Sequence, residues 1–116
     1  MNLTIIVNDS AYGIEKPWNA LRLASTAATE LEMGVKVFLM GDSVVAAKRG
    51  QKTPNGYYNM EKMLRALIKR GVEMKVCGNC IKIRGLDPSE LVEGVEEGSM
   101  KILAEWIRDS DRVVSF

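Results

Sequence analysis

Short apolar runs alternate with helical segments along this chain, and that alternation limits the fold more than any other feature. Apolar, often β-branched runs predict strands at residues 3–7, 35–40, 72–76 and 112–116, and a short fourth strand is predicted near residues 94–96, in an ambiguous segment. Between them, apolar residues at helical spacing predict helices over residues 17–33, 60–70 and 99–110. Parallel strands need crossover connections, which helices supply, so the sequence predicts an α/β fold.

Chain length and strand count predict the size of that fold. A chain of 116 residues has the length of one domain, so residues 1–116 are predicted to form a single unit around a five-stranded, mainly parallel sheet. Ligands of such sheets collect outside the carboxyl ends of the strands. The segments that follow strand ends, residues 8–16, 41–58 and 77–85, are therefore predicted to form the functional edge.

Net charge and the lack of histidine exclude several classes of function. The formal net charge is only +1, which argues against nucleic acid as a partner. No apolar run approaches the length that spans a membrane, and the initial MNLTIIVNDS predicts a strand rather than a leader peptide, so we expect a cytoplasmic protein. Because the chain has no histidine, its chemistry must use thiols, carboxylates, lysines or backbone dipoles.

Both cysteines of the chain lie in one short segment, MKVCGNCIKIRGL, at residues 74–86. Cys77 follows the third predicted strand, and Cys80 comes three residues later, a spacing that places both on one face of a helical turn. The thiolate is the nucleophilic form of cysteine, and a helix start or a nearby cation stabilises it. We therefore predict that Cys77 and Cys80 form the catalytic pair.

Residues beside this pair are predicted to bind its substrate. Lys75, Lys82 and Arg84 would place positive charge near a thiolate or a persulfide. The backbone N–H groups of Gly78 and Asn79 would stabilise the same negative charge.

Residues on the other loops of the functional edge are further candidates for substrate binding. Asn8, Asp9 and Tyr12 follow the first predicted strand and would line the same pocket, although turn formation and capping are their commoner roles. Tyr57 lies near the end of a long polar loop at residues 48–58 and would cover the sulfur site as a lid. Packing of that loop onto the next helix is an equal alternative.

Four interpretations of the C-x-x-C segment remain open on these residues alone. It could carry a persulfide on one cysteine, exchange thiols and disulfides with both, or supply half of a metal site shared between two subunits. It could also consist of two small buried hydrophobes. The pair lies past the middle of the chain, unlike the early C-x-x-C of thioredoxin, which argues against exchange of that type.

The last predicted helix, at residues 99–110, carries expectations about its faces. Its helical spacing predicts that Met100, Leu103, Ala104 and Ile107 turn inward. Trp106 is the candidate for a subunit contact, because tryptophan is enriched at interfaces.

Several segments together resemble one known family. FLMGDSV at residues 38–44, GQKTPNGYYNMEKML at 50–64, VCGNCIKIRGL at 76–86 and LAEWIRDSDRVVSF at 103–116 are similar to the DsrE/DsrF-like family of small sulfur-relay proteins, which includes TusD-type subunits. The position of Cys77 resembles that of the cysteine that accepts sulfur in that family. The segments around Gly50 and Cys77 are similar to a DsrE-like branch of it.

The resemblance implies a three-layer α/β/α fold, a homotrimer or homohexamer with the reactive cysteine near a subunit interface, and no metal or organic cofactor. It also implies that Cys77 exchanges persulfide sulfur with donor and acceptor proteins. A different class of function stays open beside it, a non-catalytic oligomeric binding module that uses the C-x-x-C pair as a redox sensor or regulatory element.

Overall fold

The computed structural model describes residues 1–116. Its five strands are β1 Asn2–Val7, β2 Gly34–Leu39, β3 Glu73–Cys77, β4 Val95–Gly98 and β5 Arg112–Ser115. The α-helices are α1 Lys16–Thr29, α2 Met60–Lys69, α3 Gly78–Ile83 and α4 Met100–Asp109. Two 3₁₀ helices lie at Gly41–Ala47 and Pro88–Glu90. No helix is both long and apolar enough to cross a bilayer.

All neighbouring strands pair in parallel, in the order β4-β3-β2-β1-β5. The carboxyl ends of the strands therefore meet at one edge of the sheet. The predicted α/β fold with a parallel five-stranded sheet is confirmed.

Helices cover the two faces of the sheet unequally. On one face, alternate strand residues such as Ile5, Val37 and Val76 join residues of α1 and α2 in a core of 24 buried residues. The alternation follows from the pleat of a strand, which sends successive side chains to opposite faces. Helix α4 crosses the other face, so the fold has the expected three layers.

The α4 face has a small core of its own. Phe38, Leu103 and Trp106 are buried there, and the rings of Phe38 and Trp106 meet edge to face with centroids 5.8 Å apart. The subunit-contact prediction for Trp106 is therefore wrong, because its ring is buried within the chain. The inward positions are Ile102, Leu103 and Trp106, a single stripe i, i+1, i+4.

Three of the residues predicted to turn inward on α4 are instead exposed, namely Met100, Ala104 and Ile107. Met100 keeps 66% of its surface and Ile107 43%. Only one narrow stripe of a helix that lies alone on a sheet is covered, so the adjacent stripe i, i+4, i+7 faces away from it. Leu103 was correctly predicted as buried, at 4% exposure.

Candidate functional site

The cysteine pair lies at the carboxyl edge of the sheet, where β3 passes directly into α3. Cys77 is the last residue of the strand and also the N-cap of the helix, with φ −62° and ψ 117°. Its Sγ accepts the backbone N–H of Cys80 at 3.2 Å. The sulfur therefore takes the place that a serine or aspartate oxygen occupies in an ordinary N-cap.

The two sulfur atoms are in contact and paired as a disulfide, with the Cα atoms 5.1 Å apart. The Sγ of Cys80 accepts the backbone N–H of Gly41 at 3.3 Å, so each sulfur has one amide donor. Hydrogen bonds to the charged form of a group favour that form, and these amides would stabilise a thiolate at either position once the pair is reduced.

The cysteines connect the two cores of the protein. Cys77 packs on the small core around Phe38, whereas Cys80 packs against the large core beneath α1 and α2. Both are half-buried. Each cysteine is therefore held by an amide hydrogen bond on its sulfur, and each residue keeps part of its surface open to the solvent.

The cations predicted near the sulfurs have other partners. The Nζ of Lys75 lies 3.1 Å from a carboxylate oxygen of Glu96. Arg84 donates to Asp42 at 2.7 Å and to the backbone carbonyl of Cys80 at 3.0 Å. None of the hydrogen bonds from these side chains ends on sulfur. Arg84 holds the cysteine turn through the backbone carbonyl of Cys80.

The remaining candidates beside the pair lie at the start of α3. Gly78 and Asn79 are its first two residues, and Asn79 is exposed. Lys82 makes no ion pair and lines an open groove of about 390 Å³ beside α3.

Asn8, Asp9 and Tyr12, the candidates that follow β1, have hydrogen-bond and ion-pair partners away from the cysteine pair. Asn8 donates its backbone N–H and its side-chain amide to the carbonyl of Phe116, at 2.8 and 3.2 Å, and Asp9 pairs with Lys16 at 3.7 Å. The hydroxyl of Tyr12 accepts the N–H at the start of α2 and donates to Gln51. None of these hydrogen bonds reaches the cysteines.

Tyr57 belongs to a cluster of stacked aromatic rings at the ends of α1 and α2. Its ring lies 4.8 Å from that of Tyr58, which in turn lies 5.6 Å from Tyr12 and 5.5 Å from Trp18. Burial is the main reason that the pKa of Tyr58 is raised, and hydrogen bonding to Tyr57 adds to it. The cluster anchors the polar loop to the helices.

The same loop has an ionic anchor. One carboxylate oxygen of Glu61 accepts the backbone N–H groups of Gly50 and Gln51, both at 2.9 Å, and the other accepts Arg65 at 2.7 Å. The hydrogen bond to Arg65 is the main reason that the pKa of Glu61 is lowered, and the two backbone hydrogen bonds add to it. Burial acts in the opposite direction.

We expect Glu61→Gln to lower the free energy of unfolding by about 1–2 kcal/mol at neutral pH, because the amide N–H₂ would face the guanidinium of Arg65. A carboxylate with a lowered pKa stabilises the fold above its unfolded pKa, and this contribution is lost as the pH falls through its folded pKa. The wild type and Glu61→Gln should therefore have similar free energies of unfolding in acid. Urea unfolding at neutral pH and in acid measures the free energy of unfolding of both proteins, with the exposed Glu93→Gln as control. An equal loss of stability at the two pH values would contradict a stabilising role for the Glu61 carboxylate.

The structure also adds to the site two residues of the 41–58 segment that the sequence analysis did not single out. Gly41 supplies the N–H to Cys80 and has φ +55°, a conformation that favours glycine, and Asp42 holds Arg84. Both follow β2, the neighbour of β3 in the sheet. The sequence offered only a weaker signal, namely that residues 41–58 follow the end of a predicted strand and so belong to the predicted functional edge. No group of three or more His, Cys, Asp or Glu residues is placed to hold a metal ion.

The fold and the site define a class of protein, a parallel α/β domain that carries a paired C-x-x-C at the carboxyl edge of its sheet. Residues 1–116 match the DsrE/DsrF-like family, and the chain belongs to that family. The resemblance seen in the sequence is thereby confirmed.

Relatives of known sequence and structure agree with this membership. Protein YchN of Escherichia coli K12 is 38% identical over 98% of this chain and 97% of its own, and its crystal structure superposes with a TM-score of 0.91 over 100% and 99%. Protein MK0008 of Methanopyrus kandleri is 40% identical over 98% and 93%. The "Sulfurtransferase TusD homolog" of Vibrio vulnificus YJ016 is 27% identical over 100% of this chain and 98% of its own.

Proposed function

We propose that this protein is a cytoplasmic sulfur carrier that accepts persulfide sulfur on Cys77 and passes it on. The observation that carries the proposal is the position of Cys77, half-buried at the carboxyl edge with an amide hydrogen bond on its sulfur. Family membership supports it, since one relative bears the name sulfurtransferase. The partners would be a donor protein and an acceptor protein.

The proposed transfer balances without an external oxidant. The Cys77 thiolate attacks the outer sulfur of a donor persulfide, forms a new S–S bond and releases the donor thiolate. An acceptor thiolate then attacks the outer sulfur of the Cys77 persulfide, takes that sulfur, and restores the Cys77 thiolate. The backbone N–H of Cys80 stabilises the negative charge on the Sγ of Cys77 before the sulfur is accepted and again after it has been passed on.

Cys80 provides a second outcome for the loaded protein. Its thiolate can attack the inner sulfur of the Cys77 persulfide, which forms the Cys77–Cys80 disulfide and expels hydrosulfide. The paired sulfurs and the 5.1 Å between the Cα atoms support this step, because attack needs the sulfurs in contact. Renewed loading would then need a dithiol reductant to open the disulfide.

The same pairing favours a second candidate function, a redox-sensing binding module. In that case mild oxidant would close the Cys77–Cys80 disulfide, and closure would alter assembly or partner binding. The hydrogen bond from Gly41 to Cys80 supports such coupling, since it connects the pair to the 3₁₀ helix after β2.

The proposed assembly is a homotrimer or homohexamer with the cysteine pair near a subunit interface. Exposed apolar side chains on the α4 side of the sheet support an interface there, namely Met100, Ile107 and Val113. Sedimentation of the reduced and oxidised protein would establish the number of copies and whether it changes with the disulfide.

The carrier proposal is tested by intact mass after the reduced protein is incubated with a persulfide donor. We expect a gain of one sulfur mass, which a thiol reductant removes as hydrosulfide. Protein alkylated beforehand with iodoacetamide is the control and should gain nothing. Reduced protein that neither gains a sulfur mass nor releases hydrosulfide with closure of the Cys77–Cys80 disulfide, while a donor-competent thiol protein in the same mixture is loaded, would overturn the proposal.

A further inference from the structure

We propose that the reduced protein binds one Cu(I) ion through the thiolates of Cys77 and Cys80, with the thioether of Met40 as a third sulfur ligand. This proposal goes beyond the sulfur-carrier function and does not depend on it. It rests on Met40, a third sulfur-bearing residue that the sheet places beside the cysteine pair, at a corner formed by the carboxyl ends of β2 and β3.

Sheet register places Met40 beside Cys77. Strands β2 and β3 pair with Phe38 opposite Lys75 and Leu39 opposite Val76. One step further along both strands, Met40 comes opposite Cys77 and on the same face of the sheet. Both side chains pack on the small core around Phe38, which agrees with this placement.

The position of Cys80 brings the second thiol to the same residue. Its Sγ lies 3.3 Å from the backbone nitrogen of Gly41, the atom bonded to the carbonyl carbon of Met40. The backbone is still extended at Met40, with φ −124° and ψ 161°, and turns away only at Gly41. Met40 therefore lies on the face of Cys77 at the neighbouring strand end, and Cys80 contacts the backbone directly after Met40. Met40 is half-buried, as are both cysteines, so an ion can reach the corner from the solvent.

The donor set selects the metal. Thiolate and thioether are soft ligands, which suit Cu(I). A structural Zn(II) site takes four ligands, typically cysteine and histidine. This chain has no histidine and no third cysteine, and no group of three or more His, Cys, Asp or Glu residues is placed to hold a metal. Cu(I) is satisfied by two or three sulfurs, so the sulfurs of a single chain are enough for Cu(I) and too few for a four-ligand zinc site.

The charge of the site is consistent with a monovalent ion. Two thiolates and one Cu(I) leave a single negative charge, which the amides of Cys80 and Gly41 can hold on the sulfurs. The nearby cations do not compete with the ion for the sulfurs, because Lys75 and Arg84 are paired with Glu96 and Asp42. Binding replaces the thiol protons, so affinity should rise with pH while the thiols remain protonated.

The test is competition for Cu(I) between the reduced protein and the coloured chelator bicinchoninate under anaerobic conditions. We expect one Cu(I) per chain. Cys77→Ser and Cys80→Ser should each abolish competition, and Met40→Leu should weaken affinity by about tenfold or more. Zn(II) at the same concentration should not be retained. Leucine nearly conserves the volume of methionine, so the Met40 variant should fold.

Met63→Leu is the matched control, because Met63 lies on α2 and packs against the large core, on the opposite face of the sheet. It should bind Cu(I) as the wild type does. Equal affinities for the Met40 and Met63 variants would overturn the three-sulfur site, and failure of the wild type to compete would overturn copper binding altogether. The wild type's persulfide loading is measured separately by mass, so either proposal can fail while the other stands.

Discussion

Replacement of Cys77 by serine is expected to abolish the gain of sulfur from a persulfide donor completely. A serine hydroxyl has nearly the shape of the thiol and can still cap α3 by accepting the N–H of Cys80, so the fold should survive. A hydroxyl is not ionised near neutral pH and does not form the S–S bond on which loading depends. Intact mass after donor treatment measures the loss, with thermal unfolding to show that the variant is folded.

Cys80→Ser is the matched control, because it removes the other sulfur from the same turn. We expect this variant to gain one sulfur and to keep it longer than the wild type, since no thiolate remains to expel hydrosulfide. Loading of Cys77→Ser at the wild-type level would refute the assignment of the carrier role to Cys77.

The same two variants separate the carrier from the redox sensor. A sensor depends on the disulfide, so both serine variants should abolish its response to oxidant equally. A carrier depends on Cys77 alone for loading, so the variants should differ. The comparison needs only a persulfide donor, a mild oxidant and the mass and sedimentation of each protein.

Local sequence patterns were sufficient to predict the strands and the three longer helices. The β-branched run at residues 3–7 and the apolar run at 35–40 correspond to β1 and β2 within one residue at each end. Helical spacing at residues 60–70 predicted α2, whose buried residues are Met60, Leu64 and Leu67. Such patterns predict well because burial on one face leaves a period in the sequence itself.

The environment of the cysteines could be predicted only in part, because it depends on which strand ends are neighbours. The C-x-x-C segment and the edge of the sheet were visible in the sequence, but the amide of Gly41 reaches Cys80 across 39 positions of the chain. The partners of Lys75 and Arg84 likewise come from other elements, β4 and the 3₁₀ helix after β2. Strand order cannot be deduced from local periodicity, so neither could these contacts.

The face of α4 was predicted wrongly for a related reason. Methionine, alanine and isoleucine at helical spacing are compatible with more than one buried stripe, and the position of the helix over β1 and β2 decides between them. The decisive partner is Phe38, a strand residue distant in sequence that fixes Trp106 and Leu103 as the inward residues.

Phe38→Ala is expected to lower the free energy of unfolding by about 3–5 kcal/mol, because it empties the centre of the α4 face. Phe38 is only 1% exposed, and its ring supports both Trp106 and the site of Cys77. Ile83→Ala is the control for loss of an apolar side chain, since Ile83 is 80% exposed, and should change stability by no more than about 0.5 kcal/mol. Urea unfolding of reduced protein measures both.

A double-mutant cycle with Gly98 tests the packing that underlies this prediction. A Cβ added at Gly98 would lie 2.6 Å from Cε2 of Phe38, so Gly98→Ala alone should destabilise the protein by about 1–3 kcal/mol, as the ring must shift. When Phe38 is alanine, the obstacle is gone and the new methyl group occupies part of the cavity. Gly98→Ala should then cost much less or become stabilising. Additive effects of the two substitutions would show that the ring does not lie over Gly98, the residue that pairs with Cys77 in the sheet.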